Sequence, residues 1–197
     1  GSDIVKRVAR KVSEQERRNV AFAVLDTDIN DLRKIEKEYP FIKTIQTSQG
    51  RTVGEFLEYD KRAKEEWFPT NPILNKKPLT EGAGQVRAIS RLAFEMTLRE
   101  GRMRPLHDAI ESLYRLDENY HEQALRVTVV SSLCGGTGSG IILPIGLYLR
   151  SYLEKAFRVK DLIIRGFFLL PEVFYDVCRG ADEKEALRAN AYATLRE

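Results

Sequence analysis

Residues 126–150, RVTVVSSLCGGTGSGIILPIGLYLR, constrain the fold more than any other stretch. The β-branched run Val127, Thr128, Val129 and Val130 predicts a strand. Ser131, Ser132 and Cys134 end that run, and Gly135-Gly136-Thr137-Gly138-Ser139-Gly140 follows. An apolar segment of helical length begins at Ile141. The expected order is therefore strand, glycine loop, helix. A glycine-rich turn at a helix N-terminus leaves backbone N–H groups unpaired. The helix dipole adds partial positive charge at the same place. Together they predict a cradle for a phosphate that needs no lysine.

The flanking chain repeats the alternation. Residues 20–25, VAFAVL, read as a strand buried on both faces of a parallel sheet. It ends in Asp26-Thr27-Asp28, at the strand end where open α/β sheets bind ligands. Asp28 is also suited to cap a helix over 29–39, and one residue can do both. Residues 41–46 read as a short strand, and 162–170, LIIRGFFLL, as another buried one. Helices are expected over 1–12, with Ile4, Val5, Val8 and Val12 on one face, and over 50–64. A third opens after the Gly82-Ala83-Gly84 turn and runs to Arg99, with Val86, Ile89, Leu92, Ala93 and Met96 as its stripe. A fourth spans 105–116, with Pro105 at the favoured first position. A fifth spans 141–157, apolar nearly all round at first and so buried, with Pro144 in its first turns. The last covers 185–197. Residues 67–78, with three prolines, read as an excursion packed over Trp67.

Strands that alternate with helices imply parallel pairing through right-handed crossovers. The fold class is α/β, with every glycine turn at the carboxyl edge of one sheet. At 197 residues the chain is long enough for one such domain with a real core. Its 32 basic and 29 acidic residues include no long basic run, which argues against nucleic acid as partner. Two cysteines, Cys134 and Cys178, are too few for a disulfide framework or a zinc site. His107 and His121 lie on polar stretches without matching metal ligands and read as surface histidines. No apolar run has transmembrane length and no signal peptide opens the chain, so an intracellular, cytoplasmic location is expected.

Three known loops fail against the glycine sequence. A Walker A loop requires lysine where Ile141 stands. The dinucleotide fingerprint requires a third glycine at that same position. The nucleophile elbow requires glycines where Thr137 and Ile141 flank Ser139. An ordinary dinucleotide-dependent enzyme is thereby disfavoured.

Strand, GGTGSG and apolar helix do resemble the phosphate loop of the tubulin/FtsZ superfamily, and four further segments resemble it in order. Residues 20–32, VAFAVLDTDINDL, resemble its second strand and following loop. Gly82-Ala83-Gly84 resembles its turn near the γ-phosphate. Residues 162–174 resemble the strand that leads to the ribose, and Asn190-Ala191-Tyr192-Ala193-Thr194-Leu195 the helix that carries a base-contacting asparagine. The divergence suggests a prokaryotic tubulin-like protein. The resemblance implies a Rossmann-like three-layer domain with a mainly parallel sheet, binding GTP or GDP with Mg2+. It assigns Gly135, Gly136, Thr137, Gly138, Ser139 and Gly140 to the α- and β-phosphates, with hydroxyl donors from Thr137 and Ser139. Gly82, Ala83 and Gly84 would sense the γ-phosphate through backbone N–H groups. Asp26, Thr27 and Asp28 would lie near the phosphates and the metal, Glu172 near the ribose, and Asn190 near the base. The family's first loop, G-x-G-G-x-G, and its acidic water-activating loop have no counterpart in these residues. The expectation is thus a nucleotide-binding domain, read as a fragment without the first strand and the C-terminal domain. Its hydrolysis would be completed by a neighbouring subunit in a head-to-tail filament. The alternative is a non-hydrolysing scaffold that assembles with partner proteins.

Overall fold

A computed structural model describes residues 2–47, 51–79, 82–114, 125–156 and 161–197. Helix α1 (Ser2–Lys11) precedes strand β1 (Phe22–Asp26), helix α2 (Ile29–Glu38) and strand β2 (Ile42–Gln46). Helices α3 (Val53–Tyr59), α4 (Pro72–Asn75), α5 (Arg87–Arg99) and α6 (Arg104–Tyr114) follow. Strand β3 (Leu125–Ser132), helix α7 (Gly136–Ala156), strand β4 (Leu162–Leu169) and helix α8 (Ala181–Arg196) complete the order. The fold is α/β with parallel strand pairing.

The local signals act as expected at several boundaries. The Asp28 side chain accepts from the Asn30 N–H and caps α2. Thr52 and Glu55 form a reciprocal capping box on α3. Pro105 lies in the first turn of α6, where a missing N–H costs least. The expected helix over 50–64 divides instead into α3 and a single wider π turn, Ala63–Trp67. The excursion folds back on α5. Phe56, Leu57, Phe68, Leu79 and Ala83 pack with Ile89, Leu92, Ala93 and Met96, and Trp67 lies against them.

The strands do not form the single sheet expected. β1 pairs in parallel with β2, and β3 with β4, as two separate pairs. The free edges of β1 and β3 border one cleft of about 420 Å³, lined by Ala21–Asp26 and Leu125–Ser132, with α6 and α7 at its sides. Without ladder hydrogen bonds across that cleft, the pairs stay distinct. Alternation along β1 sends Phe22 and Val24 to the core of α1 and α2, and Ala23 and Leu25 to that of α6 and α7. Helices therefore cover both faces of the first pair. On β3, Val127 and Val129 face α7 while Arg126 and Thr128 are exposed.

Several expectations about burial need correction. Only Val24 of β1 is fully buried, because the strand borders the cleft. β4 pairs only with β3 among the described residues, and Phe167 is 62% exposed. On α1 the inward residues are Ala9 and Val5, while Val8 faces water. α7 starts at Gly136, earlier than expected, so Pro144 lies inside it rather than in its first turns. Proline there leaves the Gly140 carbonyl without its helical donor, and its ring crowds that same carbonyl. Leu143 and Leu147, one turn apart, are exposed, so α7 is not buried all round. His107 is half-buried rather than free on the surface. It stacks on Tyr152 at 4.2 Å between centroids and hydrogen-bonds the Tyr148 hydroxyl, and burial lowers its pKa. His121 lies outside the described residues.

Candidate anion-binding site at the amino end of α7

The carboxyl ends of β1 and β3 converge at the first turn of α7. β3 ends at Ser132, and only Leu133, Cys134 and Gly135 separate it from the helix. Most of the glycine sequence is therefore helix rather than loop. Gly135, Gly136, Thr137 and Gly138 have N–H groups with no carbonyl acceptor among the described residues, as expected before the first helical bonds close. The Ser139 N–H reaches the Gly135 carbonyl at 3.4 Å. By Gly140 the helical ladder has begun, and that residue's N–H is used within it.

The glycines at 138 and 140 are required by close packing. A Cβ at Gly138 would overlap the Ser131 Oγ and the Ser132 carbonyl, and one at Gly140 would overlap the Arg87 carbonyl and sit 3.0 Å from the Ser90 Cβ. The helix can approach β3 and α5 this closely only without side chains there. A Cβ at Gly136 would sit 2.8 Å from the Ala83 Cβ and 3.0 Å from the Gln85 nitrogen. The 82–85 turn thus lies directly on the first turn of α7. Gly82 and Gly84 have φ of 81° and 54°, and Gln85 has φ of 62°. That left-handed run suits glycine and is costly for Gln85.

A chain of hydroxyls ties the three loops together. The Ala83 N–H donates to the Thr27 Oγ1 at 3.2 Å. Thr27 and Thr137 hydroxyls meet at 3.0 Å, and the Thr137 hydroxyl donates to the Asp26 Oδ1 at 3.2 Å. With one proton each, the hydroxyls satisfy every link if all donate toward Asp26. The same Oδ1 accepts from the Thr27 and Asp28 N–H groups at 2.7 and 3.2 Å. Thr27 is fully buried. Burial pushes the Asp26 carboxyl above its ordinary pKa, opposed by these hydrogen bonds.

Of the residues singled out in the sequence, Asp26, Thr27, Ala83 and Thr137 are joined directly. Asp28 remains beside them as the cap of α2. Two hydroxyls turn inward instead of toward a ligand: that of Thr137 to Asp26, and that of Ser139 to the Gly135 carbonyl. The Ala83 N–H is likewise spent on Thr27, while those of Gly82 and Gly84 have no protein acceptor among the described residues. The Asn190 amide is a strut. It donates to the Gln85 carbonyl at 2.8 Å and to the Cys134 carbonyl at 2.9 Å, clasping the 82–85 turn to the start of α7. Glu172 is exposed in the short 3-10 helix Pro171–Phe174, near enough that its charge helps raise the pKa of Cys134, which burial raises first. Both cysteines are free thiols.

Sequence reasoning did not single out Gln85, Arg87 or Thr194. The Arg87 guanidinium and the Thr194 hydroxyl both reach the Ser139 carbonyl at 3.4 Å, and Arg87 also pairs with Glu197 at 2.7 Å. Thr194 lies four residues after Asn190 and so shares its helix face. Nothing in the local sequence marks Arg87. Among the described residues no cluster of metal-binding side chains occurs, and no helix is long and apolar enough to cross a membrane.

The pattern of one known protein family, described as tubulin-like, matches residues 1–197. No curated protein and no solved structure was found to match. The segments that build the site, from Asp26 to Asn190, all lie within the matched length, and the chain belongs to the tubulin-like family.

Proposed function

We propose that this chain is the guanine-nucleotide-binding part of a polymerising GTPase. The observation that carries the reading is the convergence of three loops on one helix N-terminus. The 26–28, 82–85 and 133–138 segments are locked by the Ala83–Thr27–Thr137–Asp26 chain, with unpaired N–H groups at Gly135 to Gly138. Such a preorganised group of donors suits the oxygens of a di- or triphosphate. Asp26 and Asp28 fit a hard divalent cation in type, since Oδ1 of Asp26 takes all of its internal bonds and Oδ2 stays outside them. Mg2+ held there would neutralise phosphate charge. Glu172 would meet the ribose. Asn190 has spent both amide hydrogens, so its carbonyl oxygen would accept from the base. Hydrolysis would be completed by an acidic loop from the next subunit of a head-to-tail cytoplasmic filament.

The same reading supplies a finer fold. A further parallel strand seated in the cleft would join β1 to β3 and give one sheet between two helical layers. Its support is that two unpaired edges of the same polarity border an apolar cleft.

Titration of the whole natural protein with GTP, GDP and ATP in Mg2+, followed by turnover against protein concentration, tests the reading. Preference for guanine nucleotides and turnover that rises faster than linearly are expected. Binding without turnover at any concentration would move the protein to the non-hydrolysing scaffold reading. Absence of nucleotide binding would overturn both.

A further inference from the structure

We propose that helix α8 is a strap that holds the 82–85 turn in a strained conformation through Asn190, so that the turn and its contact with the start of α7 shift when α8 does. The inference does not depend on which ligand the site takes.

The turn is strained at one residue. Gln85 has φ of 62°, in the left-handed region where a side chain crowds the backbone. Gly82 and Gly84 reach similar angles without that penalty. Gln85 lacks their freedom, so contacts from outside the turn must hold it, and they come from α8. The Asn190 amide donates to the Gln85 carbonyl at 2.8 Å. The Gln85 side chain adds a longer bond, 3.4 Å, to Glu183 in the first turn of α8.

The second hydrogen of the Asn190 amide goes to the Cys134 carbonyl at 2.9 Å, beside Gly135. One side chain therefore spans the turn and the approach to α7. The contact it spans is close: a Cβ at Gly136 would lie 3.0 Å from the Gln85 nitrogen and 3.1 Å from its Cα. Rotation of Gln85 to an ordinary φ would carry its carbonyl away from Asn190. It would also disturb the bond of the next residue, from the Val86 N–H to the Ala83 carbonyl at 3.1 Å. The turn thus has two arrangements, and the position of Asn190 selects the strained one.

α8 rests on the loops that it ties. Leu187, Asn190, Ala191 and Thr194 recur at helical spacing and form one inward stripe. Leu187 and Ala191 are its buried residues and pack with Leu133 and Cys134. The Thr194 hydroxyl reaches the Ser139 carbonyl at 3.4 Å. Tyr192 and Leu195, off that stripe, are 63% and 67% exposed. A narrow apolar seat and hydrogen bonds to backbone carbonyls hold the helix, so a displacement of α8 takes Asn190 from Gln85 and releases the turn. Linkage makes the coupling reciprocal: a change in the turn loosens α8.

The experiment follows residue-resolved amide exchange in the whole natural protein, each variant kept well below its thermal midpoint. Loss of one or two hydrogen bonds shifts a local equilibrium by roughly 5- to 30-fold, so Asn190→Ala should speed exchange at Val86 by about that factor. Adding Asn190→Ala to Gln85→Gly should speed it far less, because glycine stays in the left-handed region unaided. Leu187→Ala trims the apolar seat of α8, leaves the Asn190 amide in place, and should also speed Val86. Equal acceleration by Asn190→Ala with and without Gln85→Gly would overturn the proposal. So would an unchanged Val86 in Asn190→Ala, or in Leu187→Ala when the amides of α8 exchange faster. Should Asn190→Ala not fold, Leu187→Ala with and without Gln85→Gly carries the same comparison.

Discussion

Thr27→Val tests the loop-locking chain at its centre. Valine keeps the branched shape, but a methyl group replaces the hydroxyl that accepts from the Ala83 N–H at 3.2 Å and meets the Thr137 hydroxyl at 3.0 Å. The site is fully buried, so water cannot take the vacant place. An unpaired buried N–H costs about 1–3 kcal/mol. Thr137 keeps its bond to Asp26, so the loss is centred on Ala83. A methyl at the position of Oγ1 would also crowd the Ala83 nitrogen, which adds to the cost. About 2 kcal/mol in all is expected, a fall in thermal midpoint of about 4–8 °C for a chain of this size. Thr27→Ser keeps the hydroxyl and deletes one buried methyl, for about 1 kcal/mol. Amide hydrogen exchange separates the causes: exchange at Ala83 should accelerate in the valine variant and stay protected in the serine variant. Unchanged Ala83 exchange in Thr27→Val, or a serine variant as destabilised as the valine one, would refute the reasoning.

Three other substitutions probe the site and its helix. Gly138→Ala and Gly146→Ala lie on one helix and should act in opposite directions. At 138 the new Cβ would overlap the Ser132 carbonyl, so a net loss of about 1–2 kcal/mol is expected after the better helix propensity of alanine is counted. At 146 nothing lies within 4 Å of the new Cβ, so a gain of about 0.5–1 kcal/mol should appear as a higher urea midpoint. A shift of the same sign in both would contradict the close-packing account of the motif. Asp26→Asn bears on pH. Burial raises the folded-state pKa of Asp26, so the folded protein binds its proton more readily than the unfolded chain, and the charged form costs stability at neutral pH. Asparagine should therefore be at least as stable as wild type at pH 7. That difference should shrink as pH falls through the raised folded value and vanish below the ordinary carboxylate pKa of about 4. Denaturant midpoints measured from pH 4 to 8 would show it, and a difference that grows toward acid would contradict the assignment.

The sequence alone determined the features that depend on neighbours a few residues away. The β-branched run of β3, the Asp28 cap of α2, the first-turn Pro105 and the Val86–Met96 stripe of α5 all lie where local preference puts them. Their causes are backbone propensity, capping and a 3.6-residue period, which act within one or two turns. The same holds for the glycine motif as the opening of a helix. Tertiary structure decided what that opening meets. Thr27 and Thr137 are separated by 110 residues, and no spacing encodes that their hydroxyls touch. Ser139 carries a hydroxyl fit for a phosphate, yet the close approach of α7 buries it against the Gly135 carbonyl. Asn190 offers an amide fit for a base, yet both its hydrogens go to the carbonyls of Gln85 and Cys134, brought to it from two other loops. Residue type fixes which hydrogen bonds a side chain is able to make. Only packing decides which of them are left for a ligand, because a buried donor takes the acceptor that the fold supplies.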